Sequence, residues 1–385
     1  MINRIILIVV DGLGIGAAAD ASEYGDDKAH TLAHLAEVVG DLSLPSLESL
    51  GLGHVSECRG LRTMAQPTGC FGRSGFKAKG VDSLVGYREI AGCMSESDGV
   101  CYPGGYTPEI RSTMEEVFGR KVLGGRLSSL EEALSAWSRD HLSSGGPITW
   151  TDGRQTCHLA AHENVWRPEE LHQRARELRK VLNDSWGIRR VVAHSFAGDP
   201  GALQFGAERR DFAGEPSGPT MLDALNRSGQ IVIGVGKVGD LFGSRGLTRS
   251  VSAESWTESL DEVSRMFKKV PRGLIVAGLD VIGSVAEQSA AALQEFDHRL
   301  PDVLAQLRPG DLFIITGDHG RDPMKPHAVP TREYVPLLVT GPKLAQGVDL
   351  GTRSTAADIG QTIVEALQGD SLAVGDSFLD ALKSG

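Results

Sequence analysis

Five short runs of aliphatic and β-branched residues punctuate the chain: Arg4–Val10, Gln230–Gly234, Gly273–Leu279, Asp311–Thr316 and Val335–Thr340. Their apolar positions are continuous rather than alternating, which predicts strands covered on both faces. Helical patterns over Ala253–Lys269, Ala286–Leu307 and Thr355–Leu367 fall between and after them. Apolar strands alternating with helices predict an α/β core built on a mostly parallel sheet. Right-handed crossovers would bring all the strand C-termini to one sheet edge, where such folds keep their active sites.

The middle of the chain is patterned differently. Helices are predicted over Ser128–His141 and Pro168–Asp184, with strands at Ile148–Thr151 and Arg190–His194. Pro103-Gly-Gly and Gly214-Glu-Pro-Ser-Gly form loop-like borders. The expected organisation is a core made of residues 1–96 and 218–385, interrupted by a smaller α/β domain at 97–217.

Composition narrows the options. With 385 residues, 41% hydrophobic and 23% charged, the chain has the make-up of a folded protein of about two domains. No apolar run approaches the roughly 18 residues of a membrane span. The apolar start meets Asp11 at once, as a buried strand does and a signal peptide does not. A net charge of −11 argues against nucleic acid as a partner. A small anionic substrate stays compatible, because local cations and a metal outweigh the overall sign. Five cysteines without CxxC spacing predict a reduced cytoplasmic setting and no sulfur-based metal site.

Two strand ends carry the chemistry. Ile-Leu-Ile-Val-Val runs into Asp11-Gly-Leu-Gly-Ile-Gly16, and Phe-Ile-Ile runs into Thr316-Gly-Asp318-His319-Gly320. Each strand ends in a carboxylate beside glycines that let the backbone turn sharply. Carboxylates with an imidazole suit a divalent ion, so Asp11, Asp318 and His319 are expected metal ligands. A simpler role for each Asp is to cap a following helix. Asp280, after Leu274–Leu279, is a weaker ligand candidate. A rival reading takes Gly12-Leu-Gly14-Ile-Gly-Ala17 as the phosphate cradle of a dinucleotide-binding fold. Asp11 beside a pyrophosphate would oppose it.

In order and spacing, a series of short motifs resembles the phosphopentomutase family of the alkaline-phosphatase superfamily over nearly the whole chain. They include Thr31-Leu-Ala-His34, Ala160-Ala-His-Glu163, Gly236-Lys237-Val-Gly-Asp240, Thr316-Gly-Asp-His-Gly-Arg-Asp-Pro323, Thr331-Arg-Glu-Tyr-Val-Pro-Leu-Leu338 and Gly375-Asp-Ser-Phe-Leu379. The resemblance implies an alkaline-phosphatase-like core with an inserted cap, two metals and a hydroxyl nucleophile that carries the phosphoryl group. The family's Asp-Thr-x-x-Gly-His segment falls on Asp82-Ser83-Leu-Val-Gly86-Tyr87, which makes Ser83 the nucleophile and Asp82 its neighbour in the site. One metal position is then complete in Asp11, Asp318, His319 and Ser83. The other keeps Asp280 but has Val285 and Pro330 where the family carries histidines. His327, in the loop Lys325-Pro-His-Ala-Val-Pro330, is the candidate to replace one of them.

The same resemblance makes Arg154, His194, Arg209 and Lys237 substrate-binding positions, with Arg154 replacing an aspartate. The expected function is phosphoryl transfer on a sugar phosphate or related small anion through a Ser83 adduct. Manganese is the first choice of ion, ahead of zinc and magnesium. A single-metal isomerase or epimerase using His327 or Tyr87 as base is one alternative, and a non-catalytic binding relative is another. In the first reading, Arg88, Arg321 or Lys325 would stand in for the charge of the depleted second site.

Overall fold

The computed structural model describes residues 2–94, 100–182, 186–205 and 209–383. The chain divides into two compact units, Met1–Glu96 with Pro216–Gly239 and Ser244–Gly385, and Ser97–Glu215 with Asp240–Gly243. The junction expected at 96/97 lies outside the described residues.

The first unit is built on an eight-stranded sheet. In spatial order its strands are Arg249–Val251, Val232–Val235, Gly273–Leu279, Arg4–Val10, Asp311–Gly317, Val335–Thr340, Cys70–Ser74 and Asp349–Arg353. The first five are mutually parallel. On one face Ile6, Ile8, Ile275, Ala277, Phe313 and Ile315 pack in a single cluster with Leu32, Leu35, Val263, Phe267, Leu293 and Phe296. The intervening Ile5, Leu7 and Val9 are equally inaccessible, so both faces are covered and a continuous apolar run is the stable choice.

Val335–Thr340 departs from the expected direction, because it pairs antiparallel with Asp311–Gly317. A parallel return needs a helical crossover. The segment joining these strands instead contains only the short turn Pro326–Ala328, so the chain doubles back. As a result the N-terminal end of Val335–Thr340, not its C-terminus, lies at the edge that carries Asp318. The helices form at Trp256–Lys269, Ala286–Leu304 and Ala357–Ala366, slightly shorter than their sequence patterns. The Ser255 hydroxyl accepts from Glu258 N and sets the later start of the first of these.

A buried ion pair closes the far end of the sheet. Arg4 donates to both carboxylate oxygens of Asp311, at 3.1 and 2.5 Å, and to the carbonyls of Phe267 and Val270. It thereby ties the starts of two adjacent strands to the end of the helix Trp256–Lys269.

The second unit has a mixed sheet of Leu123–Leu127, Ile148–Thr151, Thr156–His162, Arg190–Ala197 and Gln204–Phe205, with Arg210–Ala213 also on Arg190–Ala197. Its helices are Pro108–Phe118, Leu130–Ser144 and Pro168–Val181. Residues 183 and 184 of the last expected helix lie outside the described residues. Ile110, Met114, Phe118, Leu171, Leu178 and Val191 give this unit a core of its own. Among the described residues, no helix is long and apolar enough to cross a membrane.

Asp311→Ala would strand the Arg4 charge in the interior. We expect a loss of about 3–5 kcal/mol in unfolding free energy, measured by urea denaturation.

Candidate metal centre

Four consecutive parallel strands end at one edge, and each delivers a reactive side chain within two residues of its end. Val232–Val235 leads to Lys237, Gly273–Leu279 to Asp280, Arg4–Val10 to Asp11, and Asp311–Gly317 to Asp318 and His319. Val10 is level with both Leu279 and Gly317, so the three following carboxylates stand side by side.

One ligand atom from each of Asp11, Asp318 and His319 lies within 4.8 Å of the other two. His319 Nε2 is 3.8 Å from Asp11 Oδ1 and 3.6 Å from Asp318 Oδ2. These gaps are too long for hydrogen bonds. They are close to the ~3.0–3.4 Å between neighbouring donors around an ion with bonds of about 2.1 Å. His319 Nδ1 lies 2.7 Å from Gly320 O, which can only accept, so the proton belongs on Nδ1 and the lone pair of Nε2 faces the carboxylates.

Ser83 completes the arrangement. Its hydroxyl donates to Asp11 Oδ2 at 2.9 Å and lies 3.3 Å from His319 Nε2. The single hydroxyl proton is used on Asp11, so Ser83 Oγ and His319 Nε2 face each other as acceptors across a small gap. Asp318 Oδ2 is buried and has no hydrogen-bond partner. A buried acceptor left unmatched is costly, and a cation is what satisfies this set. The donor set and its spacing therefore fit one divalent ion.

The electrostatics agree. Burial would raise the Asp11 pKa, but neighbouring cations, Lys237 foremost and Arg321 with it, hold it well below the usual carboxylate range. Asp318 is pushed up by burial and by the neighbouring Asp11 charge, only partly offset by Lys237 and the Gly12 N–H. Gly12 N donates to Asp318 Oδ1 at 3.0 Å, with Gly12 in the left-handed region at φ 76°.

Close packing fixes these groups. Asp82 caps the helix Ser83–Ile90, its carboxylate accepting from Val85 N at 2.9 Å, and so presents Ser83 from the first turn. Gly86 lets that helix approach the strand end, since a Cβ there would lie 2.1 Å from Asp318 O. A buried residue to which the sequence assigned no role, Glu333, joins the loops after Asp11 and after His319. It accepts from Gly16 N, Thr31 N, Thr31 Oγ1 and Thr331 Oγ1 at 2.6–3.0 Å. Cβ atoms at Gly14 and Gly320 would sit 2.3 and 2.2 Å from its oxygens. The signal for Glu333 was present in those glycines, whose need becomes apparent only with the carboxylate in place.

No helix opens on Gly12–Gly16, where the chain passes through loop to a short turn at Ala21–Tyr24. The dinucleotide-cradle geometry is therefore absent. The other candidates separate. Asp280 is half-exposed at 44% and is held by Lys237 Nζ at 2.6 Å, outside the metal-competent group. Lys237 also pairs with Asp11 and lies 3.5 Å from Ser83 Oγ, so it belongs to the strand-end cluster. His327 sits in the turn Pro326–Ala328 at φ 61° and does not join the metal-competent group. Val285 and Pro330 cannot ligate through their side chains, and among the described residues Asp280 joins no metal-competent group. Lys325 is engaged with Asp26 at 2.8 Å, while Arg321 Nη2 reaches within 3.8 Å of Asp11. Arg154, His194 and Arg209 all belong to the second unit. There His194 stacks with Trp150 and His158, and Arg209 pairs with Asp211 at 3.2 Å.

Comparison with known proteins bears on this centre. The chain is 38% identical to a phosphopentomutase of Dictyoglomus turgidum, with 100% of this chain and 99% of that one covered. It is also 38% identical to a phosphopentomutase of Caldanaerobacter subterraneus, over 99% and 98% of the two chains. The chain belongs to the phosphopentomutase family. The model of the metalloenzyme superfamily matches residues 250–371, a stretch that holds Asp280, Asp318 and His319. Among solved structures, a phosphoglycerate mutase of Leishmania mexicana aligns with a TM-score of 0.45 at 12% identity, covering 98% of this chain and 97% of that one. The match to the metalloenzyme-superfamily model over residues 250–371 and the converging ligands both call for a divalent metal.

Gly86→Ala forces a methyl group against the Asp318 carbonyl. A loss of about 1–3 kcal/mol in stability is expected from the overpacking, read by chemical denaturation.

Proposed function

We propose that this phosphopentomutase-family chain is a phosphosugar mutase that passes a phosphoryl group through Ser83, beside one divalent ion held by Asp11, Asp318 and His319. The observation that carries the reading is the position of Ser83 Oγ, hydrogen-bonded to one acidic member of the metal-competent group and 3.3 Å from its imidazole.

Bound there, the ion, manganese by first choice, would lower the pKa of the hydroxyl and offset charge on the transferring oxygens. Asp11 orients the Ser83 hydroxyl through its Oδ2. Ser83 Oγ forms a bond to phosphorus as the ester P–O bond of the substrate breaks, and the serine proton passes to the departing sugar oxygen. A second hydroxyl of the same sugar then attacks the phosphoserine, its proton returns to Ser83 Oγ, and the phosphate has changed position. Helix Ser83–Ile90 begins at this residue, so its N-terminal amides favour the phosphate charge. Arg154, His194 and Arg209 are the proposed contacts to the sugar phosphate. Arg209 suits an anion by its charge and planar donors.

Incubation with a pentose phosphate and Mn2+ should add one phosphoryl group, mapped by mass spectrometry to Ser83. Ser83→Ala should abolish the adduct and lower turnover on the order of 10³-fold or more, while Ser83→Thr retains both. Turnover that survives Ser83→Ala would reject the reading. Asp318→Ala should separately remove tight Mn2+ binding in calorimetry, leaving the circular dichroism spectrum intact.

A further inference from the structure

We propose that the Lys237 ammonium serves as the second cation of this centre, so that the chain works with one metal ion and one charge supplied by the protein. The inference rests on Ser83 being the phosphoryl carrier.

The geometry points to it from several sides. Asp11 and Asp280 follow directly on Val10 and Leu279, which are paired in register on adjacent parallel strands. Two carboxylates so placed repel each other unless a cation lies between them. Lys237 supplies that cation, its Nζ pairing with Asp11 Oδ2 and with Asp280 Oδ1 at 2.6 Å. The next strand outward ends at Val235, and Gly236 at φ 68° turns the chain so that Lys237 points back across the edge. Asp280 contributes one carboxylate where a second ion would need further donors, and among the described residues only Asp11, Asp318 and His319 converge as a metal-competent group.

The stem of Lys237 is built in rather than draped over the surface. Its side chain is 5% exposed, and Nζ lies 5.5 Å from the centre of the Tyr87 ring. Gly278 is required beneath it, since a Cβ there would lie 3.3 Å from Lys237 Cγ and 2.5 Å from the Tyr87 hydroxyl. The ammonium is thus confined to one place, and that place is 3.5 Å from Ser83 Oγ.

Ser83 is therefore flanked by the metal cradle through His319 and by an ammonium through Lys237. One divalent ion and one ammonium bring three positive charges to the three carboxylates Asp11, Asp280 and Asp318, with the Arg321 guanidinium 3.8 Å from Asp11 as a further cation. In this role Lys237 stabilises charge on the serine oxygen and on an incoming phosphoryl oxygen, as a fixed positive group does in phosphoryl transfer.

The test counts ions and removes the charge. The full chain is loaded with Mn2+, freed of excess and assayed for manganese per chain by mass spectrometry, with electron paramagnetic resonance to distinguish isolated from coupled ions. One ion per chain with the spectrum of isolated Mn2+ is expected. Lys237→Met should keep that stoichiometry and lower kcat on the order of 100-fold, with part recovered in Lys237→Arg. Two coupled ions in the wild-type chain, or a Lys237→Met variant that turns over normally, would overturn the assignment. Phosphorylated Ser83 together with two ions rejects the role of Lys237 and leaves the proposed reaction standing. One ion without a Ser83 adduct rejects the reaction instead.

Discussion

The centre depends on a forced proximity of like charges. Parallel pairing sets Val10 level with Leu279 on one side and Gly317 on the other, and a carboxylate follows each of the three. Neighbouring strands lie about 4.8 Å apart, so Asp11 has a carboxylate one strand away on each side, Asp280 and Asp318, while the sheet is intact. Repulsion at that distance is relieved by protonation or by cations. Asp318, whose pKa is raised by burial and by Asp11, shows the strain of the uncompensated arrangement, and its partnerless oxygen marks where compensation is due. In the proposed centre, Lys237 on one side and a divalent ion on the other would resolve the crowding in different ways. The ammonium is fixed to the fold, whereas the ion is taken up from solution.

Such a cluster is useful only if it is rigid. Arg4 and Asp311 fasten the opposite end of the two central strands, so their register cannot slip without exposing a buried charge. At the active edge, Glu333 joins the loops that follow Asp11 and His319, and small residues at Gly14 and Gly320 make room for it. Gly86 lets the helix of Ser83 press against the backbone of Asp318. Each contact holds a reactive atom through backbone rather than through a long side chain. That is the economical way to keep reacting groups within the fraction of an ångström that phosphoryl transfer demands.

Much of this was legible in the residues, for reasons that differ by element. The three central strands are long, apolar and bounded by glycine or charge, and their pattern admits little else. Cys70–Ser74, Arg249–Val251 and Asp349–Arg353 are short and broken up by arginine and other non-aliphatic residues, so they become strands only because a neighbour offers hydrogen bonds. The reversed direction of Val335–Thr340 was hidden because apolar pattern carries no sense of direction. The information lay in the missing crossover helix. In the site, Asp11, Asp318 and His319 announced themselves by adjacency to glycine at strand ends. Lys237 was visible as a cation but its partners were not, since Asp280 and Asp11 lie 43 and 226 residues away along the chain.

If Ser83 takes the place of the threonine that the family resemblance implies, the difference acquires a physical meaning in this setting. Threonine is stiff about χ1, so its own methyl group helps to aim the hydroxyl. Serine lacks that constraint, and the aim of Ser83 Oγ must come from outside. Asp11 provides a hydrogen bond of 2.9 Å, His319 lies at 3.3 Å and Lys237 at 3.5 Å. Three groups from three different strands thus surround one small oxygen. A tethered ammonium is well suited to this setting, because it keeps its place when the metal exchanges and leaves the serine oriented. The proposed one-metal centre would trade the stronger polarisation of a second ion for a charge whose position does not depend on metal supply.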